Sequence, residues 1–241
     1  LLKSMANHDF VIHLAAQTNI LQSITDPETT IDIIVEGTVN VLKSCVKTNV
    51  KGLVSTSSAA VYGNSPDAPI SENSQLSPVS SYGASKLVTE YNLQAFSRSF
   101  GLNCISLRLF NVYGNGQSSE TVVIRKFLKN ISKDLPLEIF GDGTQTRDFV
   151  HVSDVIQAFS CAIKNIEAKR GEVYNIGSGK STSINELASL LISSKGKDLQ
   201  IIHKPEIQGE IKFSKADISL AKTDINYSPE VSLRDGLASL V

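Results

Sequence analysis

The sequence predicts an α/β fold: a doubly wound parallel sheet with a smaller α/β unit beside it. Three observations predict it. Short apolar runs, β-branched in part, recur at residues 9–15, 50–58 and 102–110. The segments between them are helix-length, and the first keeps its apolar residues at helical spacing. Strand, helix, strand, helix, strand at these separations makes βαβ units, whose strands lie parallel and buried. The chain has 241 residues and 41% hydrophobic content, enough for one large domain or two small ones with a proper core.

In order, the first residues read as the last turn of a helix leading into a strand. The chain starts Leu1-Leu2 and its one methionine is Met5, so it reads as a fragment or as a chain whose start was not determined. Residues 9–15 (DFVIHLA) form the first strand, closed by the small Ala15 and Ala16, where the backbone is open to a ligand. Residues 23–27 are expected to form a polar turn. Pro27 then opens a helix, as proline does in a first turn. Ile31, Ile34, Val35, Val39, Leu42 and Val46 keep helical spacing up to residue 49. Residues 50–58 make the second strand, 82–100 the next helix with Gly101 as its C-cap, and 102–110 the third strand. An amphipathic helix over 121–133 follows, then a short strand over 137–140, a helix opening at Asp154-Val155, a strand over 173–176 and a helix over 182–193.

Composition excludes several classes. The net charge is −1, so no basic field points to nucleic acid or to an anionic membrane. No apolar run approaches the roughly 18 residues a bilayer needs, and no signal peptide is visible. Cys45, Cys104 and Cys161 are isolated and odd in number, which reads as small buried side chains in a reducing, cytoplasmic compartment. The four histidines have no metal-ligand spacing, so no metal is expected.

Chemistry concentrates in residues 52–86. The apolar run ends at Ser58, and Tyr82 and Lys86 follow four apart. On a helix, i and i+4 share a face, so the ammonium can lie beneath the phenol. A tyrosine pKa of about 10 is too high for acid–base work near neutrality, and each unit of lowering needs about 1.4 kcal/mol of differential stabilisation. A neighbouring ammonium supplies such stabilisation, and a serine hydroxyl nearby can hold the same substrate oxygen.

Ser57, Ser58, Val61, Tyr62, Gly63, Glu72, Ser80, Tyr82, Ser85 and Lys86 match S-S-x-x-V-Y-G, an acidic loop and S-x-Y-x-x-S-K. Further matches are H-x-A-A at His13, Ala15 and Ala16, G-T at Gly37-Thr38, and F-N-V-Y-G from Phe110 to Gly114. Then come G-D-G-x-Q-x-R-D-F-V-x-V from Gly141 to Val152 and a glycine turn at Gly177 and Gly179. In these residues the chain resembles the extended short-chain dehydrogenase/reductase family, in its NAD-dependent epimerase/dehydratase branch. The likeness runs from Asp9 to about Leu240. It departs from the pattern at Ile34, where the family has Asn. It departs again at Ile207-Gln208-Gly209-Glu210, where many members read R-x-G-D and carry a second phosphate-binding Arg. Family members begin with a strand and G-x-x-G-x-x-G, which this chain lacks. By that comparison about 60 residues are absent, and the chain as written is expected not to turn over substrate by itself.

The resemblance implies a Rossmann-like sheet whose N-terminal strands are missing. Residues 1–110 with about 148–177 would bind NAD, and 111–147 with 178–241 a nucleotide sugar. It implies 4-epimerase chemistry on UDP-glucose and UDP-galactose. Tyr82 would take the 4-hydroxyl proton, Ser58 hold the 4-oxygen, and Lys86 bind the nicotinamide ribose and depress the Tyr82 pKa. Leu14, Ala15, Ala16, Thr18, Thr56, Phe110 and Val112 would also touch the cofactor, while His13 reads as structural. Asn111 and Arg147 would hold the diphosphate, with Glu210 also facing substrate. Ser214 would sit beside the sugar C2 substituent, and its small side chain leaves room for an N-acetyl group. A homodimer is implied. A 4,6-dehydratase or another sugar-nucleotide-modifying enzyme of the extended short-chain family stays open as an alternative, although the dehydratase branch carries Asp-Glu directly after the Ser/Thr, where Ala59 and Ala60 stand here. A non-catalytic nucleotide-sugar-binding relative also stays open.

Overall fold

The computed structural model describes residues 1–66, 68–117, 122–207 and 211–240. A short helix, α1 (Leu2–Met5), leads into β1 (Phe10–His13). Next comes α2 (Ile20–Thr25), where a polar turn was expected from residue 23. Asn19 caps it by accepting from Gln22 N, and buried Ser23 turns its hydroxyl back onto Ile20 O at 2.7 Å, so a serine that reads as loop serves a helix. The helix expected from Pro27 forms in three pieces: α3 (Pro27–Ile31), a π-helical turn (Asp32–Glu36) and α4 (Gly37–Thr48). Asp26 caps α3 through Thr29 N with Pro27 in the first turn, and Asn49 ends α4 in the left-handed region at φ 53°.

The strands β2 (Gly52–Ser58) and β3 (Asn103–Leu109) flank α5 (Ser81–Phe100), the longest helix described. Ser80 Oγ accepts from Gly83 N at its start, and Gly101 ends it at φ 72°. Then follow β4 (Asn111–Tyr113), α6 (Val123–Ser132), β5 (Leu137–Phe140), β6 (Thr146–Arg147) and β7 (Phe149–His151). The chain continues through α7 (Val152–Lys164), β8 (Arg170–Ile176), β9 (Thr182–Ser183) and α8 (Ile184–Ser194). It closes with β10 (Ile201–Lys204), α9 (Ser219–Ile225) and α10 (Leu233–Ala238).

The main sheet is parallel, in the order β1-β2-β3-β8. Strand alternation sends successive side chains to opposite faces. Leu53 and Cys104 meet Val41, Leu42, Cys45 and Leu93 of α4 and α5 on one face. Val54, Ile105 and Leu107 meet Val155, Ala158 and Phe159 of α7 on the other. The sheet is therefore wound on both faces, as the alternating pattern predicts. A separate apolar core gathers Ile124 and Phe127 of α6, Leu137 and Ile139 of β5, Leu187 and Leu191 of α8 and Leu237 of α10. α9 packs with the first sheet, through Ala221 and Ile225. Among the described residues no helix is long and apolar enough to cross a membrane.

Candidate active site

Parallel strands bring their carboxyl ends to one edge, and the candidate residues collect there. β2 ends at Ser58, in register with Leu109 of β3, which in turn pairs with Ile176 of β8. After Ser58 the chain makes a 3-10 turn, Ala59–Val61, and Ser58 Oγ accepts from Ala60 N at 3.2 Å. Gly63 then takes φ 59°, and a Cβ there would lie 2.0 Å from Ser77 O, so only glycine lets the loop fold back. The loop returns to Ser80, whose cap starts α5 and places Tyr82 in its first turn.

Tyr82 and Lys86 share one face of α5 as the spacing predicts, and both are buried. Lys86 Nζ lies 6.0 Å from the Tyr82 ring centroid. It donates to Thr56 O at 3.0 Å and Thr56 Oγ1 at 3.3 Å, so the ammonium is tethered to β2. Burial pulls its pKa down to about 8, against the neighbouring Glu90 carboxylate. Burial pushes the Tyr82 phenol up, and a hydrogen bond with Ser58 works the other way. Desolvation dominates the phenol, and the group that opposes it is Ser58.

His13 Nε2 meets Thr38 Oγ1 at 3.1 Å, and Thr38 donates to Ile34 O at 2.6 Å. Where the family pattern has Asn, this chain has Ile34, whose side chain is buried and whose carbonyl accepts from Thr38. The carbonyl sits in the π-helical turn, a feature frequent at functional sites. Burial and the Lys86 ammonium hold the His13 ring below the usual imidazole range.

A cavity of about 330 Å³ opens in front of Ser58. Ser58, Ala59 and Ala60 make one wall, Phe110 and Asn111 another, and Arg147, Ile211 and Ser214 a third. Ile20, Gly63, Ile70, Val79, Ser80 and Leu109 also line it. Arg147 Nη1 donates to Thr146 O at 2.8 Å and to Ile211 O at 2.7 Å, which holds the guanidinium on the cavity wall. Ser214 is buried, while Ile207 is exposed. Glu210 lies outside the described residues, as do Gln208 and Gly209. Leu14, Ala15 and Thr18 are exposed beyond β1, Ala16 and Val112 are half-buried, and Phe110 is buried on the cavity. A larger cavity, about 560 Å³, lies between α6 and the end of α8 and is lined by Arg125, Lys129, Lys195 and Lys197. It contains none of the candidate residues. Among the described residues no three metal-ligating side chains gather, and the three cysteines are free.

Two buried groups escaped the sequence reading. Asp148 accepts from Ser178 N and Oγ, both at 2.7 Å, and from Gly179 N and Ala216 N, both at 3.0 Å. It ties the Arg147 segment to the glycine turn and to the segment carrying Ser214. The second is an ion pair between α5 and β3, Glu90 with Arg108. A charged residue four positions after Lys86 and a cation inside the third apolar run were the signals that could have found it.

A family model described as "NAD dependent epimerase/dehydratase family" matches residues 1–177. A protein of Methanocaldococcus jannaschii named putative UDP-glucose 4-epimerase is 37% identical over 236 residues, 97% of this chain and 76% of that protein. The structure of a UDP-N-acetylglucosamine 4-epimerase from Methanobrevibacter ruminantium, in complex with UDP-N-acetylmuramic acid, superposes with a TM-score of 0.93 at 31% identity, covering 99% of this chain and 78% of that one. That of a UDP-glucuronic acid 4-epimerase from Bacillus cereus, in complex with UDP-glucuronic acid and NAD, gives 0.92 at 34%, covering 99% and 76%.

Proposed function

The chain belongs to the NAD dependent epimerase/dehydratase family, an enzyme family whose cofactor is NAD, and we propose that this member is a nucleotide-sugar 4-epimerase acting on UDP-hexoses. One observation carries the reading. The cavity wall next to Ser58 is Ala59 and Ala60. A 4,6-elimination needs a further acid and base to take a proton from C5 and release water from C6. Two alanines offer neither. Epimerisation at C4 needs one acid–base group and one hydroxyl anchor, and the site has both.

The residues present fit the cofactor. Leu14 and Ala15 are exposed at the carboxyl end of β1, where open α/β sheets bind their ligands. Gln17 Oε1, in the same segment, is buried with no hydrogen-bond partner, and Lys86 stands tethered at Thr56. These groups, with Tyr82, would hold the nicotinamide ribose. Bound there, NAD would accept a hydride from the sugar C4 and return it.

Tyr82 takes the proton of the 4-hydroxyl and later gives it back, and Ser58 holds the 4-oxygen between those steps. Lys86 supplies positive charge beneath the phenol. Asn111 and Arg147 bind the diphosphate, so the nucleotide stays fixed while the 4-keto sugar turns. A guanidinium held on a wall by two carbonyls is preorganised for phosphate oxygens. Ser214 is small and faces the cavity, which supports room for an N-acetyl group at C2. Arg147 is the cation lining the cavity among the described residues, which supports a neutral sugar over a glucuronate. The reading includes a homodimer. Ile31 of α3 and Val88 and Tyr91 of α5 are large, apolar and exposed, on two helices that pack together.

The test is incubation of the intact protein with UDP-glucose, UDP-N-acetylglucosamine and UDP-glucuronic acid in turn, with products identified by NMR. Galacto epimers of the first two are expected. A 4-keto-6-deoxy product would replace the reading with the dehydratase, and no product from any of them would leave a binding relative.

A further inference from the structure

Three polar residues stand in register across the parallel sheet: Ser57 of β2 beside Arg108 of β3, and Arg108 beside Asn175 of β8. Partners in a parallel sheet share a face, and here it is the face covered by α5. Glu90 projects from α5 onto this row. Its Oε1 accepts from Ser57 Oγ at 2.5 Å and from Arg108 Nε at 2.9 Å, and its Oε2 accepts from Arg108 Nη2 at 2.7 Å. Arg108 Nη1 donates onward to Tyr62 OH at 2.8 Å, and Tyr62 donates to Asn175 Oδ1 at 2.7 Å. Glu90 and Arg108 are 2% and 3% exposed. A buried pair of this kind is weak as a source of stability, because well-packed apolar residues often do as well.

Its position is what matters. Ser57 immediately precedes Ser58, and the two side chains leave β2 on opposite faces. Glu90 follows Lys86 by one helical turn, so its charge faces the ammonium. We infer that the Glu90–Arg108 pair is the positioning device of the catalytic end, fixing Ser58 through Ser57 and setting the charge around Lys86. The inference rests on the reading of Ser58, Tyr82 and Lys86 as the catalytic set.

The groups facing Lys86 are Tyr82 and Glu90 of α5, His13 of β1 and Thr56 of β2, with Arg108 of β3 behind Glu90. Asp32 and Glu36 of the π-helical turn are exposed. Glu90→Gln removes the anion and leaves the Arg108 cation, so Lys86 loses its proton at lower pH. Arg108→Met does the opposite. Removing both restores the balance.

The experiment measures pH profiles of kcat and kcat/KM for the intact protein with NAD, on whichever UDP-hexose it turns over. The alkaline limb is expected to fall by about 0.5 pH unit or more in Glu90→Gln, to rise in Arg108→Met, and to return in the double variant. Ser57→Ala leaves both charges and takes one hydroxyl from the core, so it stands even if the charge variants do not fold. It is expected to lower kcat about tenfold, with KM unchanged and the limb moved less than in the charge variants, because it loosens Ser58 while both charges stay in place. An alkaline limb unmoved, or moved the same way, in both single variants overturns the inference, as does full kcat in Ser57→Ala. Tyr82→Phe is run in parallel. If it keeps turnover, the catalytic reading itself fails. If it is inactive while the limbs stay put, only this inference fails.

Discussion

Asp148→Ala should cost about 3–5 kcal/mol of folding stability and weaken substrate binding as well. Asp148 is fully buried and its two oxygens accept four hydrogen bonds. Truncation orphans the three backbone donors and leaves the Ser178 hydroxyl only its longer contact to Lys180 O at 3.5 Å. Each buried, unsatisfied donor costs about 1–3 kcal/mol. Ala216 N lies in the core and carries that penalty in full. Ser178 and Gly179 are half-buried, so their donors recover part of theirs from water. The total is a large share of a domain's usual stability of about 5–15 kcal/mol. Asp148→Asn keeps the volume and one acceptor and should cost less. Urea unfolding followed by circular dichroism measures the loss, and steady-state kinetics follows KM for the UDP-sugar. KM should rise, because Ala216 is two residues from Ser214 and Asp148 adjoins Arg147. A loss under about 1 kcal/mol with KM unchanged would refute the reasoning, since it would mean that the four donors find other partners.

Tyr82→Phe should abolish turnover and leave the circular dichroism spectrum unchanged, and more than a few per cent of residual activity would remove Tyr82 as the base. Arg147→Ala should raise KM more than it lowers kcat, by the roughly 1.5–3 kcal/mol of a charge-assisted contact; an unaffected KM would put the diphosphate elsewhere. Ser214→Tyr should suppress turnover of UDP-N-acetylglucosamine and spare UDP-glucose, and equal loss of both would dissociate Ser214 from the C2 substituent. Lys86 is a cation below its lowered pKa of about 8 and neutral above it, so kcat/KM should fall as pH rises through that value. Lys86→Arg, which keeps its proton throughout, should remove the limb. A flat wild-type profile from about pH 7 to 9.5 would separate Lys86 from the rate.

The sequence by itself determined what depends on near neighbours. Apolar runs with helices between them specify βαβ units, and the β2 and β3 strands appear within two residues of the expected positions. The four-residue spacing of Tyr82 and Lys86 already puts them on one helix face, because 3.6 residues make a turn. Gly101 ends α5 as its residue type foretells. Motif order marked Ser58, Asn111, Arg147 and Ser214, and the fold brings all four to one cavity. The tertiary structure decided what depends on distant partners. α2 formed where a turn was expected, because a cap and one buried serine outweighed polar composition. The helix after Pro27 takes a π-helical turn over Asp32–Glu36, which apolar periodicity does not register. Whether a phenol near an ammonium ionises more easily depends on how much water is removed from both, and burial won at Tyr82. Glu90 meets Arg108 across 18 residues, and Asp148 meets Ala216 across 68. Strand register and chain return make those pairs, and a charge in a sequence carries no sign of the partner that allows its burial.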